Sequence, residues 1–179
     1  MNRDRLHEAS ATVTTEILVL ALHELRGIGD SAIETVLRTM AVHRMPPCEV
    51  PLLSAAQLSE TFALKPTQAA IIARGLRAAL PRARELARKL HGHTVAVLTS
   101  DHASYPQRLM RTMEKPPTVL YGAGNLDALD RAMVAVLTSN DAPREARQAA
   151  RLAAQVAIEH DFVPVTGHNR PEYQDSALA

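Results

Sequence analysis

Apolar residues recur at helical spacing through the first half of the chain. Ile17, Leu18, Leu20, Ala21, Leu22 and Leu25 cover one broad helix face that closes before Gly27. Ile33, Val36, Leu37 and Met40 mark a second helix, with Asp30 as its expected N-cap. The three prolines of HRMPPCEVP predict a loop. Ser54 is placed to cap a short helix carrying Leu58, Phe62 and Leu64. Pro66 suits a first helical turn and opens a long Ala-rich helix that Gly92 ends. Pro81 is expected to kink or divide it, because proline lacks an N–H and clashes with the preceding turn. Residues 12–91 therefore read as helical.

The pattern then changes. Thr94 to Thr99 is β-branched and apolar, and Thr118 to Tyr121 reads as a second short strand ending at Gly122. Met133 to Thr138 is a continuous apolar run, as expected of a strand covered on both faces. Pro143 to His160 is an amphipathic helix of crossover length, and Asp161 to Thr166 a further strand. Strand, helix, strand in that order predicts a parallel βαβ unit. Pro164 favours an edge position for its strand. The fold expected is α/β: a helical domain over 1–92, then a partial parallel sheet over 93–179. A doubly wound sheet normally carries more strands, so this one reads as incomplete.

Composition narrows the function. There are 30 Ala but only two Phe, three Tyr and no Trp. Rows of aromatic rings for base stacking are therefore excluded. The net charge is +1, with 20 basic and 19 acidic residues. Residues 1–92 hold 12 basic and 9 acidic side chains, whereas 93–179 hold 8 and 10. The basic excess lies at Arg74, Arg77, Arg82, Arg84, Arg88 and Lys89. Cys48 is the single cysteine, which excludes an intrachain disulfide and a Cys-based zinc site. The first apolar run is too short to span a bilayer, so a soluble, cytoplasmic protein with no membrane partner is expected.

Four features carry candidate chemistry. Arg26-Gly27-Ile28-Gly29 sits between two helices, where glycines permit a tight turn and helix amides face an anion. Asp30 and Glu34 oppose an anion there, which favours an architectural turn. Arg74, Arg77, Arg84 and Arg88 share one helix face, either as a phosphate-tracking stripe or as a solvated face over Ala. The third feature is the junction Thr138-Ser139-Asn140-Asp141, at the carboxyl end of a strand where ligands of open α/β sheets bind. The fourth is Thr166-Gly167-His168-Asn169-Arg170, which leaves the next parallel strand on the same edge. Of eight histidines only His91 and His93 are close, without an evident third ligand, so no metal is expected. No catalytic constellation and no cofactor motif is present in the sequence.

One ordered set of residues points to a family. Ser104-Tyr105-Pro106-Gln107-Arg108-Leu109 precedes Lys115-Pro116-Pro117-Thr118-Val119-Leu120-Tyr121, then Gly124-Asn125-Leu126 and the strand MVAVLTSN. With the Gly-Ile-Gly turn upstream, this resembles the DNA-processing DprA/Smf family, from about Leu18 to Gly167. The resemblance implies a helical SAM-like, helix-hairpin-helix domain followed by a Rossmann-like domain. It implies non-catalytic binding of single-stranded DNA in natural transformation and loading of the RecA recombinase. The family's Gly-Ser-Arg falls on Thr138, Ser139 and Asn140, where the serine matches. Its Ser-Gly-x-x-Arg-Gly falls on residues 166–171, where Gly167 and Arg170 match and Pro171 replaces a glycine. A truncated or diverged member is expected.

On this reading Ser139, Asn140, Gly167 and Arg170 hold phosphates, helped by Arg144 and Arg147 on the following helix. A short sheet leaves apolar faces uncovered, so a homodimer is expected. Two other readings stand beside it: a nucleotide-binding protein of the lysine-decarboxylase-like group, and a degenerate or protein-interaction remnant.

Overall fold

The computed structural model describes residues 13–137 and 142–167. These residues fall into two compact units that divide between Leu126 and Asp127.

The first unit begins with α1 (Thr15–His23) and α2 (Asp30–His43). Thr14 caps α1, its hydroxyl accepting from the Ile17 amide at 3.3 Å. The helix stops at His23 rather than reaching Leu25, whose amide bonds to the Leu22 carbonyl in a tightened last turn. Gly29, in extended conformation, is the N-cap of α2. Asp30, expected in that role, is instead the first helical residue. A 3-10 turn (Val50–Leu52) leads to α3 (Ala55–Phe62), which Ser54 opens with a reciprocal capping box to Gln57.

The long helix α4 (Pro66–Gly92) runs through Pro81. Pro81 does not divide it. Ala79 and Leu80 before the proline, and Ala83 and Ala87 after it, are buried in one core. That shared packing offsets a hydrogen-bond and steric cost of about 3 kcal/mol. Leu18, Leu22, Ile33, Leu58, Phe62 and Ile72 are among the fully buried side chains of this core. Each such burial contributes roughly 1.5–3 kcal/mol. Gly75 lets α4 accept Leu25: a Cβ there would lie 2.7 Å from Leu25 Cδ2.

Strands β1 (Val95–Thr99) and β2 (Val119–Ala123) pair antiparallel, with Val97 opposite Tyr121. Thr94, with φ of 56°, lies outside β1. Gly122 lies inside β2 rather than ending it. Its missing side chain makes room for Leu126, since a Cβ would stand 2.5 Å from Leu126 Cδ2. A short helix, α5 (Gln107–Thr112), lies between the strands in sequence. Val97 joins the helical core, so this ladder packs within the first unit.

The second unit holds β3 (Met133–Ala135), α6 (Arg144–Glu159) and β4 (Val163–Val165). The strands are parallel, with Met133 opposite Val163 and Ala135 opposite Val165. This is the expected βαβ unit. Among the described residues β4 has one neighbour, the edge position Pro164 requires. The expectation that residues 133–138 are covered on both faces does not hold. Val134 is exposed and Leu137 is 70 % exposed, and among the described residues β3 has a single strand neighbour, β4. Helix α6 ends in a Schellman turn. The Phe162 amide reaches the Ala157 carbonyl, the Asp161 amide reaches Ile158, and Asp161 takes φ of 65°. Arg131 ion-pairs with the Asp161 carboxylate and donates to its carbonyl at 3.2 Å.

Candidate nucleic-acid interface

The parallel register defines one edge of the second unit. Ladder pairing ends at Ala135 and Val165, and the Val136 amide adds one bond to the Val165 carbonyl. Leu137 and Gly167 thus stand equally far past the last paired residues, at the carboxyl ends of the two strands. Because α6 follows β3, its N-terminus opens from the same edge. Pro143 is the N-cap, Arg144 the first helical residue, and the Arg147 amide bonds the Pro143 carbonyl at 3.1 Å. The N-terminal amides and helix dipole favour an anion at this edge.

The site residues expected from the sequence divide into three groups. Arg144, Arg147 and Gly167 belong to this second unit. Arg144 is exposed, and Arg147 and Gly167 are half-buried. Ser139, Asn140 and Arg170 lie outside the described residues. Arg26, Gly27 and Gly29 belong to the first unit. Sequence reasoning passed over Arg151, although its position seven residues after Arg144 was available. Arg144, Arg147, Gln148, Arg151, Leu152 and Gln155 line a surface groove of about 530 Å³ along α6.

The glycine turn is built into the first unit. Gly27 has φ of 96°, and a Cβ there would lie 3.1 Å from Ile71 Cδ1. Ile28 is buried. The Asp30 carboxylate, in the first turn of α2, accepts from the Thr118 hydroxyl at 3.1 Å. That hydroxyl has one proton, already given to Asp30, so His23 Nε2–H donates to its oxygen at 3.0 Å. An acidic side chain thus occupies the start of α2 and is held there by Thr118, the residue before β2.

The arginines of α4 are used by the fold. Arg77 donates to the Pro51 carbonyl at 2.7 Å and Arg74 to the Ala70 carbonyl at 3.1 Å. Arg82 pairs with Glu24 at 3.0 Å, and Arg88 pairs with Glu85. The Arg88 guanidinium holds the Glu85 carboxyl below its ordinary value. His91 Nε2 lies 3.2 Å from Glu16. Among the described residues no group of three or more His, Cys, Asp or Glu is placed to hold a metal ion. No helix among them is long and apolar enough to cross a membrane.

Comparison with known families bears out the resemblance over part of the chain. Residues 96–170, less than half of the sequence, match the family model of DNA recombination-mediator protein A. This segment contains β1 from Ala96 onward, β2, β3, α6 and β4. No curated protein and no solved structure is similar enough to match.

Proposed function

We propose that this protein binds single-stranded DNA without catalysis, in the cytoplasm, during natural transformation and recombination. The observation that carries the reading is the recombination-mediator match over 96–170, which includes a parallel βαβ unit with Arg144 and Gly167 at its carboxyl edge. Arg170 is the principal cation of the site. Ser139 and Asn140 are neutral donors, and Gly167 lets the backbone approach a phosphate. Arg144 and Arg147 add charge at the start of α6.

The finer architecture belongs to the same proposal. Residues 1–92 form a SAM-like, helix-hairpin-helix domain whose Arg26-Gly27-Ile28-Gly29 turn is architectural. Residues 93–179 form a partial Rossmann-like domain. The family match beginning at residue 96 supports this division, even though β1 and β2 pack in the same compact unit as the helices.

Two partners beyond DNA follow. RecA is the recombinase that the family resemblance implies. A second copy of the chain is supported by an apolar groove of about 780 Å³ in the second unit, where Val134, Leu137, Val156 and Phe162 remain exposed.

Substitution separates the edge from the turn. A charge-assisted phosphate contact is roughly twice as strong as a neutral one. Arg170→Ala should therefore weaken binding of single-stranded DNA most, Ser139→Ala less and Arg26→Ala least. If Arg26→Ala abolishes binding while Arg170→Ala is silent, the site is the turn and the proposal for the sheet edge fails.

A further inference from the structure

We propose that the outward face of α6 is a phosphate track for single-stranded DNA, with Arg151 as a binding residue beyond Arg144 and Arg147. This rests on the DNA-binding reading above and extends its site down the helix, away from the sheet edge.

Helix geometry carries the inference. Arg144, Arg147 and Arg151 follow i, i+3 and i+7 spacing, which confines them to roughly 60° of the helix circumference. Gln148 and Gln155 fall on the same face, and all five line the groove of about 530 Å³ with Leu152. Seven residues at 1.5 Å rise separate Arg144 from Arg151 by about 10.5 Å along the axis. That length serves more than one phosphate of an extended strand. Ala150 and Ala157 are buried further round α6, and Ala154, seven residues after Arg147, is buried at the edge of the arginine face.

The chemistry of the face suits a polyanion. Each guanidinium presents a planar fork that matches a phosphate bidentately. The glutamine amides add neutral donors, and the helix N-terminus adds its dipole at the Arg144 end. Glu145 projects about 100° away from Arg144 around the axis, and Glu159 lies beyond the last groove residue. Leu152, 60 % exposed, is the apolar neighbour available to a base. No aromatic ring lines the groove, so contacts to the backbone dominate and binding is indifferent to sequence.

The test uses the full chain and a fluorescent oligothymidylate, read by anisotropy across a salt series. Arg151→Gln should weaken binding and lower the salt slope by about 0.7, the loss of one single-strand phosphate contact. Arg151→Lys should keep the slope, because it keeps the charge. The triple change of Arg144, Arg147 and Arg151 to Gln should lower it by about 2. Unfolding of each variant is followed in parallel. If wild-type protein binds and Arg151→Gln binds with the same affinity and slope, the track is wrong while the DNA reading stands. If wild-type protein does not bind at low salt, both fail. If Arg151→Lys loses as much as Arg151→Gln, Arg151 acts through structure and the assignment is overturned. Equal affinity for a DNA duplex would replace the single-strand track with a general polyanion surface.

Discussion

The phenolic hydroxyl of Tyr105 donates a 2.6 Å hydrogen bond to the carbonyl of Pro117. Tyr105 is fully buried, and Pro117 stands two residues before β2 begins. The Tyr-Pro and Pro-Pro-x-x-Leu-Tyr stretches, so characteristic in the sequence, are therefore two halves of one contact. The tyrosine ring fills the core, and its hydroxyl satisfies a carbonyl at the entrance to β2.

Removing that hydroxyl should destabilise the first unit. Tyr105→Phe keeps the ring and leaves the Pro117 carbonyl without its donor. A buried acceptor deprived of its partner costs about 1–3 kcal/mol. Urea unfolding should show a lower midpoint with an unchanged slope. An unchanged midpoint would mean that water replaces the hydroxyl at no cost.

The same residue sets an alkaline limit. Burial raises the Tyr105 phenol above its ordinary value. The native state thus holds this proton at a pH where the unfolded chain has begun to release it. Stability from this group is full below about pH 10, the unfolded value, and is lost as pH rises through the higher folded value. Tyr105→Phe should flatten the decline above pH 10. The check is the stability of both proteins across pH 8–11. Parallel curves would contradict the assignment.

Two left-handed positions should respond oppositely to substitution. Gly27 needs its φ of 96°, so Gly27→Ala should cost about 1–2 kcal/mol, with Ile71 crowding the new methyl. Arg44 adopts φ of 51° at the end of α2, in a Schellman turn where Met45 bonds back to Met40. Arg44→Gly should stabilise by up to about 1 kcal/mol. Thermal melts read both. A neutral Gly27→Ala would remove the case for a built turn.

Association is the fourth expectation. Val156 is half exposed beside Leu137 and Phe162 in the apolar groove. Light scattering should find a dimer, and Val156→Lys should convert it to monomer while α6 stays folded. A wild-type monomer at high concentration with a sharp cooperative melt would sink the dimer.

Local chemistry explains what was readable in the sequence. The start of α4 at Pro66, the Ser54 cap, the parallel β3–β4 pair and the edge position of Pro164 follow from periodicity, capping and the missing proline N–H. The antiparallel pairing of β1 with β2 does not, because two apolar strands about 20 residues apart suit either direction. Nor does the His23–Thr118–Asp30 network, whose members are 95 and 88 residues apart. The continuity of α4 through Pro81 depends on a core that periodicity alone does not price. On α6, Arg151 had the right spacing but lay outside the turn to which the family motif drew notice.

The measurement closest to the central claim is a salt titration of the full chain with an oligothymidylate. The account predicts measurable affinity at low salt, falling linearly on a logarithmic scale with a slope of about −0.7 for each phosphate neutralised. It also predicts little dependence on base sequence. Absence of binding at low salt, or binding insensitive to salt, would contradict it.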